Sequence, residues 1–358
     1  MSQIISFPGL GFSVTIDPNA LCIGDFCIKW YGVLFAAAFL CGTLYAIKNA
    51  KKFGLDEDRM LDVLLGAIVC GVIGARLYYV AFSWERYRNN PIEILYLWNG
   101  GIAIYGGVIG AILGGVILCK LRRVKTLPML DLCSAGLILA QGIGRWGNFC
   151  NGEAFGSATT LPWRMNVAYA SGTGLTQAQE YLLTLPSDQI MEMGGIEAIG
   201  VHPTFFYESV WCILGFVLLW KMRDYRKFDG QLILTYTIWY GAERFVVEGL
   251  RTDSLMIGNL RVSQIVALVS AITAAIVMMV VLSKKKAAHD PEYLKLYVET
   301  EEAQLIREGK FYLKKEKKTE ISAENEENTE ENTQKNAGSE ADPAEETSVK
   351  AEKTDEEA

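Results

Sequence analysis

Apolar residues crowd between about Trp30 and Leu282 and become scarce beyond Leu313, where Glu, Lys, Asn and Thr take over. Within the apolar stretch the pattern breaks into runs long enough for membrane helices, which need about 20 mostly apolar residues each. These runs are Trp30–Ile47, Leu61–Phe82, Ile102–Leu121, Pro128–Phe149, Thr204–Lys221, Gln231–Glu248 and Val262–Leu282. They are rich in Leu, Ile, Val, Ala and Gly, and charged clusters bound several of them. None alternates with the period of two that a membrane barrel strand requires. Helices are the other way to satisfy backbone polar groups in lipid. The pattern therefore predicts an all-α polytopic membrane protein with about seven transmembrane helices.

Lys and Arg orient the spans, because they concentrate in cytoplasmic loops. The first connection holds Lys48, Lys51, Lys52 and Arg59, and the third holds Arg122, Arg123 and Lys125 with Lys120 at its edge. The fifth holds Lys221, Arg223, Arg226 and Lys227, and Lys284, Lys285 and Lys286 follow the last run. The alternate connections are poorer: Arg86 and Arg88 in the second, Arg164 in the long fourth, Arg251 and Arg261 in the sixth. This places the N-terminus outside and the C-terminus in the cytoplasm. The expected organisation is an extracytoplasmic segment over 1–29, a transmembrane domain over 30–283 and a charged cytoplasmic tail over 284–358. Low apolar content and dense charge predict disorder in that tail beyond 313. Between the fourth and fifth helices, 150–201 forms an extracytoplasmic insertion whose length and neutrality suit a head or lid over a site. Thr176–Leu185 is a candidate short helix within it, and His289–Phe311 reads as an amphipathic helix at the membrane surface.

The net charge of −7 changes little, because most of the acid sits in the tail. No basic stripe suggests nucleic acid. The start lacks the basic, apolar and small-residue zones of a cleaved signal peptide, so the first span is expected to act as the insertion signal. Eight cysteines are present, without zinc spacing. Cys22 and Cys27 precede the first span and can pair if that side is oxidising. No metal, nucleotide or redox cofactor is indicated, since there is no ligand cluster, P-loop or dinucleotide fingerprint.

Ionisable groups inside spans are costly, so each is a candidate for function. Arg76 lies toward the end of the second span; Arg145, Asn148, Asn151 and Glu153 gather at the end of the fourth. His202, Tyr207 and Glu208 open the fifth, and Tyr240, Arg244 and Glu248 share one face of the sixth at i, i+4, i+8. In the predicted orientation these groups converge on the outer leaflet. Arginines at headgroup depth suit a lipid phosphate, which guanidinium grips in bidentate fashion. Gly100, Gly101, Gly106, Gly107, Gly110, Gly114 and Gly115 line the third span and its entrance, allowing close helix packing. The first four flank Tyr105 and could keep backbone close to a headgroup.

These residues resemble a known family, the bacterial prolipoprotein diacylglyceryl transferases. Gly144 to Glu153, reading GRWGNFCNGE, is similar to the signature GRxGNFxNxE, and His202 to Glu208, HPTFFYE, to HPTxLYE with Phe in the Leu place. Glu243-Arg244-Phe245-Val246-Val247-Glu248 followed by Arg251 and Asp253 is similar to RFxxE-x-x-R-x-D, while Trp30-Tyr31-Gly32 and Gly74-Ala75-Arg76-Leu77 fit in order. The resemblance runs from about Asp17 to Leu282. One departure stands out. Where many members carry a histidine in GGxxxHGG, this chain has Tyr105, which argues against a simple histidine base on the third helix.

The resemblance implies a transferase of the bacterial cytoplasmic membrane. It would move a diacylglyceryl group from phosphatidylglycerol to the lipobox cysteine of prolipoproteins, forming a thioether and releasing glycerol phosphate. This is the first step of lipoprotein maturation. In that reading Arg145 and Arg244 hold the phosphate and stabilise the leaving group. Asn148 and Asn151 donate to the headgroup, and Glu153 and Glu248 orient the arginines or bind glycerol hydroxyls. Tyr31, Arg76, Tyr207, Glu208 and Tyr240 complete the substrate site. The proton on the thiol, whose ordinary pKa is about 8.5 against about 10 for a phenol, is harder to place. Tyr105 suits a proton relay, and His202 and Glu248 are candidate bases. The rivals are a lipid or solute transporter, which should show two related halves and a midplane site, and a non-catalytic lipid-binding scaffold. No internal repeat is present.

Overall fold

The computed structural model describes residues 3–310 except 25, 98–99, 170–179, 182–183, 194, 252–255, 258–259, 289 and 291. The stretch Met1–Arg307 forms one compact unit. The expected disorder beyond 313, Asp253 and most of the Thr176–Leu185 helix fall outside the described residues.

Each of the seven apolar runs is a helix. These are α1 (Trp30–Asn49), α2 (Glu57–Phe82), α3 (Ile104–Leu121), α4 (Thr126–Asn151), α5 (Thr204–Met222), α6 (Gln231–Glu248) and α7 (Val262–Ala288). Six of them are long and apolar enough to cross a membrane, and α6 is the exception. It carries Gln231, Thr235, Thr237, Glu243, Arg244 and Glu248 and is less apolar than its neighbours. It packs on α4, α5 and α7.

Around α4 the other helices assemble. It touches α1, α5 and α6, and half of its most apolar stretch is buried inside the protein (50%, against 11% for α1 and α7). Glycines set two of the interfaces. Gly42 of α1 faces Gly136 of α4, and a Cβ on Gly42 would stand 3.3 Å from the Gly136 carbonyl oxygen. Between α2 and α3 the approach is closer still: a Cβ on Gly74 would meet the Gly106 oxygen at 2.5 Å and Gly110 Cα at 2.9 Å. Gly106, Gly110 and Gly114 therefore serve packing, as small residues do between membrane helices.

The all-α expectation needs correction outside the helices. Strands β1 (Gln3–Phe7), β2 (Phe12–Ile16), β5 (Met165–Tyr169), β6 (Ile190–Met193) and β7 (Ile196–Val201) form one sheet in the order β2-β1-β5-β7-β6. Every pairing in it is antiparallel. The N-terminal segment and the long insertion thus build a common head. Its inner face follows the period of two, with Ile5 opposite Val167 and Val167 opposite Ile199, all three 0% exposed. A hairpin of β3 (Asn19–Ile23) and β4 (Phe26–Lys29) leads directly into α1, and Cys22 and Cys27, paired across it, form a disulfide. A small hairpin of β8 (Met256–Ile257) and β9 (Leu260–Arg261) joins α6 to α7.

The amphipathic expectation for His289–Phe311 also changes. Among its described residues the α-helical part is α8 (Glu301–Arg307), preceded by a 3-10 turn at Tyr297–Glu299, and both rest on protein. Tyr297 and Ala303 are buried in the main apolar core with Phe53 and Leu55. The backbone N–H of Tyr297 donates to Asp229 at 2.7 Å, and Ala303 packs on Gly54.

Candidate active site

The last two turns of α4 are held in place by the head. Gln3 of β1, fully buried, donates through Nε2 to the Phe149 and Cys150 carbonyls at 3.0 and 2.9 Å. These are carbonyls a helix C-terminus leaves without an intrahelical donor. Gly152, at φ +62, then turns the chain in the left-handed conformation that ends helices. The turn returns Glu153 to the helix, where its Oε1 accepts from Asn148 and Asn151, both at 3.2 Å. Three of the predicted site residues therefore form one hydrogen-bonded group. The Tyr31 ring lies on the same stretch of α4 because Gly147 has no side chain. A Cβ there would come within 2.7 Å of the ring. On the other side Trp146 donates to Ser209 at 3.1 Å and packs edge-on against Phe205, fixing α4 to the start of α5.

Glu208, 1% exposed on α5, is the centre of the charged cluster. Its Oε2 pairs with Arg145 of α4 and lies 3.3 Å from Nη1 of Arg244 on α6. Its Oε1 lies 3.8 Å from Nη1 of Arg251, just beyond α6. Arg244 also pairs with Glu248, one helical turn on, as the i, i+4 spacing predicts. Tyr240 lies beside Arg145 and stacks on Tyr236 with ring centroids 5.8 Å apart. Arg251 is carried here because the loop after α4 pairs with the loop after α6: Ser157 N–H donates to the Leu250 carbonyl at 2.6 Å.

Other predicted residues sit in different surroundings. Arg76, 5% exposed, donates to the carbonyls of Glu93, Ile94, Gly100 and Gly101 at 2.6–2.8 Å and lies 5.1 Å from the Tyr87 ring centroid. Its guanidinium ties down the connection between α2 and α3, and Gly101 (φ +77) is where a Cβ would strike it, at 2.6 Å. Tyr105 is on the first turn of α3 and 41% exposed. His202 precedes α5; its Nδ1 is 3.5 Å from the Tyr207 hydroxyl, which accepts from Trp163 at 2.8 Å. Burial holds the His202 imidazole below its ordinary pKa, which favours the neutral ring.

Three residues of the interior were not read as site or structural groups from sequence. Glu243, 3% exposed, lies within hydrogen-bonding range of the Glu208 carboxyl, and neither of its oxygens has a hydrogen-bond donor among the described residues. It directly precedes Arg244 and so falls about 100° around the helix from the face of Tyr240, Arg244 and Glu248. Its signals were its place at the head of the segment 243–248 and the cost of one more carboxylate in a span. Arg251 was visible in the motif but not as a partner of Glu208. Asp131, fully buried in α4, accepts from the backbone of Gly230 and Ile233 at 2.8 and 2.9 Å and so caps α6.

A set of guanidinium groups converging on one buried carboxylate is suited to an anion with several oxygens, because each arginine offers further donors in a planar fork. The family model for prolipoprotein diacylglyceryl transferase matches residues 18–281. The phosphatidylglycerol–prolipoprotein diacylglyceryl transferase of Clostridioides difficile (strain 630) is 43% identical over 258 residues, 72% of this chain and 92% of its own. The enzyme of that name from Staphylococcus haemolyticus is 41% identical over 265 residues, 74% of this chain and 88% of its own. That from Limosilactobacillus reuteri is 40% identical over 275 residues, 75% of this chain and 93% of its own.

Proposed function

The chain belongs to the prolipoprotein diacylglyceryl transferase family, and from that premise we propose that the cluster around Glu208 holds the phosphatidylglycerol headgroup while the diacylglyceryl group is transferred. The protein is a multi-pass membrane transferase. It moves the diacylglyceryl group of phosphatidylglycerol to a prolipoprotein cysteine. The sulfur forms a thioether with the glycerol carbon next to the phosphate, the C–O bond to the phosphate breaks, and glycerol phosphate departs. The observation that carries the site assignment is the sharing of Glu208 by Arg145, Arg244 and Arg251.

Two demands follow from the chemistry. Negative charge gathers on the departing phosphate, and Arg145 and Arg244 answer it as fixed donors that need no reorganisation. Asn148, Asn151 and Glu153 offer amide and carboxylate groups to the glycerol end, with Tyr31 on the same stretch of α4 and Tyr240 beside Arg145. The thiol must also lose its proton. The neutral His202 imidazole is the group suited to receive it, and Tyr105 suits a relay from the α3 side. Glu248 is spent on Arg244. Arg76 and Tyr207 act by positioning, Arg76 through the α2–α3 connection and Tyr207 through Trp163 of the head.

The topology that serves this chemistry has seven spans, α6 included, with the N-terminus outside and the C-terminus in the cytoplasm. The excess of Lys and Arg on alternate connections supports it. The segment 1–29 and the insertion 150–201 then share one outer head above the transmembrane domain 30–283, and 284–358 is cytoplasmic. A transporter or a lipid-binding scaffold is not favoured. The test is a transfer assay with purified protein, phosphatidylglycerol and a lipobox peptide. The expected outcome is a diacylglyceryl mass gain on the peptide with stoichiometric glycerol phosphate. Bound lipid without any mass gain would reject the reading.

A further inference from the structure

Two sets of strands outside the helices treat their apolar residues in opposite ways. The five-stranded sheet turns Ile5, Val167 and Ile199 inward, where none is exposed. The β3–β4 hairpin turns its apolar residues outward. Leu21 stands opposite Ile28 in the register, and Ile23 lies two positions along the same strand, so the three share one face. Cys22 and Cys27, opposite each other between those positions, take the other face, and their disulfide clamps the strands together. Leu21 is 55%, Ile23 70% and Ile28 40% exposed, which leaves the apolar face uncovered among the described residues. From Leu21 to Ile28 the sequence has no Lys or Arg.

The chain itself fixes this hairpin at a membrane boundary. β4 ends at Lys29 and α1 begins at Trp30 without a linker. The Trp30 N–H donates to the Pro18 carbonyl at 2.9 Å and closes the base of the hairpin on the helix. α1 is long and apolar enough to cross a membrane, and only 11% of its most apolar stretch is buried in the protein, so its sides meet lipid. Trp30 and Tyr31 in its first turn are exposed, as aromatic residues are at the edge of a bilayer. Ile28 lies two residues before Trp30, about 7 Å along a strand, and the headgroup layer is about 5–8 Å deep on each side of the hydrocarbon. The apolar face of the hairpin therefore continues the lipid-facing surface of α1 into the headgroup layer. The two positions joining the strands are Gly24 and Asp25, and a carboxylate there disfavours entry tip first. Three apolar side chains on one face suit contact along the surface, as in other elements that lie at the interface.

We propose that the β3–β4 hairpin is a membrane-contact element whose Leu21, Ile23 and Ile28 face lies against the phospholipid surface of the leaflet that α1 enters. The Cys22–Cys27 disulfide, on the opposite face, holds the strands in the register that presents it. This surface is separate from the arginine cluster and independent of the transferase reading. It borders the candidate site, since Tyr31, next to Trp30, packs on Gly147 of α4.

Photo-crosslinking of the full chain in phosphatidylglycerol-containing bilayers is the test. The photoreactive residue p-benzoylphenylalanine would replace Ile23 in one variant and, in another, Glu192, an exposed charged position of the five-stranded sheet. After irradiation the Ile23 variant gains the mass of a phospholipid on its hairpin peptide, and the Glu192 variant does not. No phospholipid adduct at Ile23 would overturn the proposal, as would equal adducts at both positions. So would an adduct that forms only with added lipobox peptide and carries the mass of that peptide, which would give the face to the precursor. An intact Cys22–Cys27 bond in the unreduced peptide shows that the hairpin has formed. Should the variant lose that bond, carbene footprinting of the wild-type protein decides. Labelling of Leu21–Ile28 by a lipid-soluble diazirine supports the contact; labelling by a water-soluble diazirine alone, or by neither, refutes it. Neither readout uses transfer, so a failure of the transferase reading leaves both results standing.

Discussion

The α4–α6 bundle carries buried charge at both of its ends, and the two ends use it differently. At the end opposite the head, charges are distributed. Asp131 caps α6, Arg223 is held by Asn49 at 2.5 Å and by Asp224 at 2.7 Å, and Arg226 donates to the Arg223 and Lys52 carbonyls. Asp229 accepts from Tyr297. Each of these contacts fastens a helix end or a loop to a neighbour. At the end below the head, charges converge. Arg145, Arg244 and Arg251 share Glu208, while Glu243 has no hydrogen-bond donor among the described residues. The residue types are the same. A charge that fastens structure consumes its donors locally, whereas the proposed site concentrates them around one carboxylate, an arrangement suited to an incoming anion. Arg76, with its donors spread over five carbonyls in a single connection, belongs with the fastening kind although it is also an arginine inside an apolar helix.

The largest expected effect comes from breaking the convergent end. Arg145→Ala should lower transfer by at least about 10²–10³-fold, the range for loss of one preorganised charge donor. Arg145→Lys should recover only part of it, because a point charge does not replace the planar fork. Peptide mass spectrometry under initial-rate conditions reads both. The second effect sharpens the contrast at the distributed end. Arg223→Ala removes hydrogen bonds from Asn49 and Asp224 and should cost about 1.5–3 kcal/mol of stability, seen as a lower thermal midpoint, while the kcat/KM of the folded fraction stays within about twofold. The smallest effect on stability is at His202. Its folded pKa lies below the ordinary imidazole value of about 6.5, so the unfolded chain takes up a proton first. The contribution of this residue is therefore fully present above that value and is lost as pH falls through the folded one. Thermal scans between neutral and mildly acidic pH should show this loss in wild type, and His202→Gln should flatten it.

The helices and the residues of the candidate cluster were legible in the sequence because both are local. An apolar run declares a span without reference to anything distant, and the motifs 144–153, 202–208 and 244–248 each lie within a few turns. What escaped notice was non-local or azimuthal. The pairing of Gln3–Ser6 with Asn166–Tyr169 joins segments about 160 positions apart, and strands of four or five residues leave too short a pattern to register on their own. The docking of Tyr297 and Ala303 under α1 and α2 likewise depends on a chain return that no local signal announces. Glu243 was visible as a residue, but its isolation was not, because the absence of a donor is a property of packed neighbours.

The most direct test sets the two ends against each other in one experiment. Wild type, Arg145→Ala and Arg223→Ala would be purified into bilayers containing phosphatidylglycerol, shown to be folded at the assay temperature, and supplied with a lipobox peptide. The account predicts that Arg223→Ala transfers the diacylglyceryl group at nearly the wild-type rate, while Arg145→Ala gives no mass gain above background. Equal loss in both variants, or transfer that survives in folded Arg145→Ala, would contradict it.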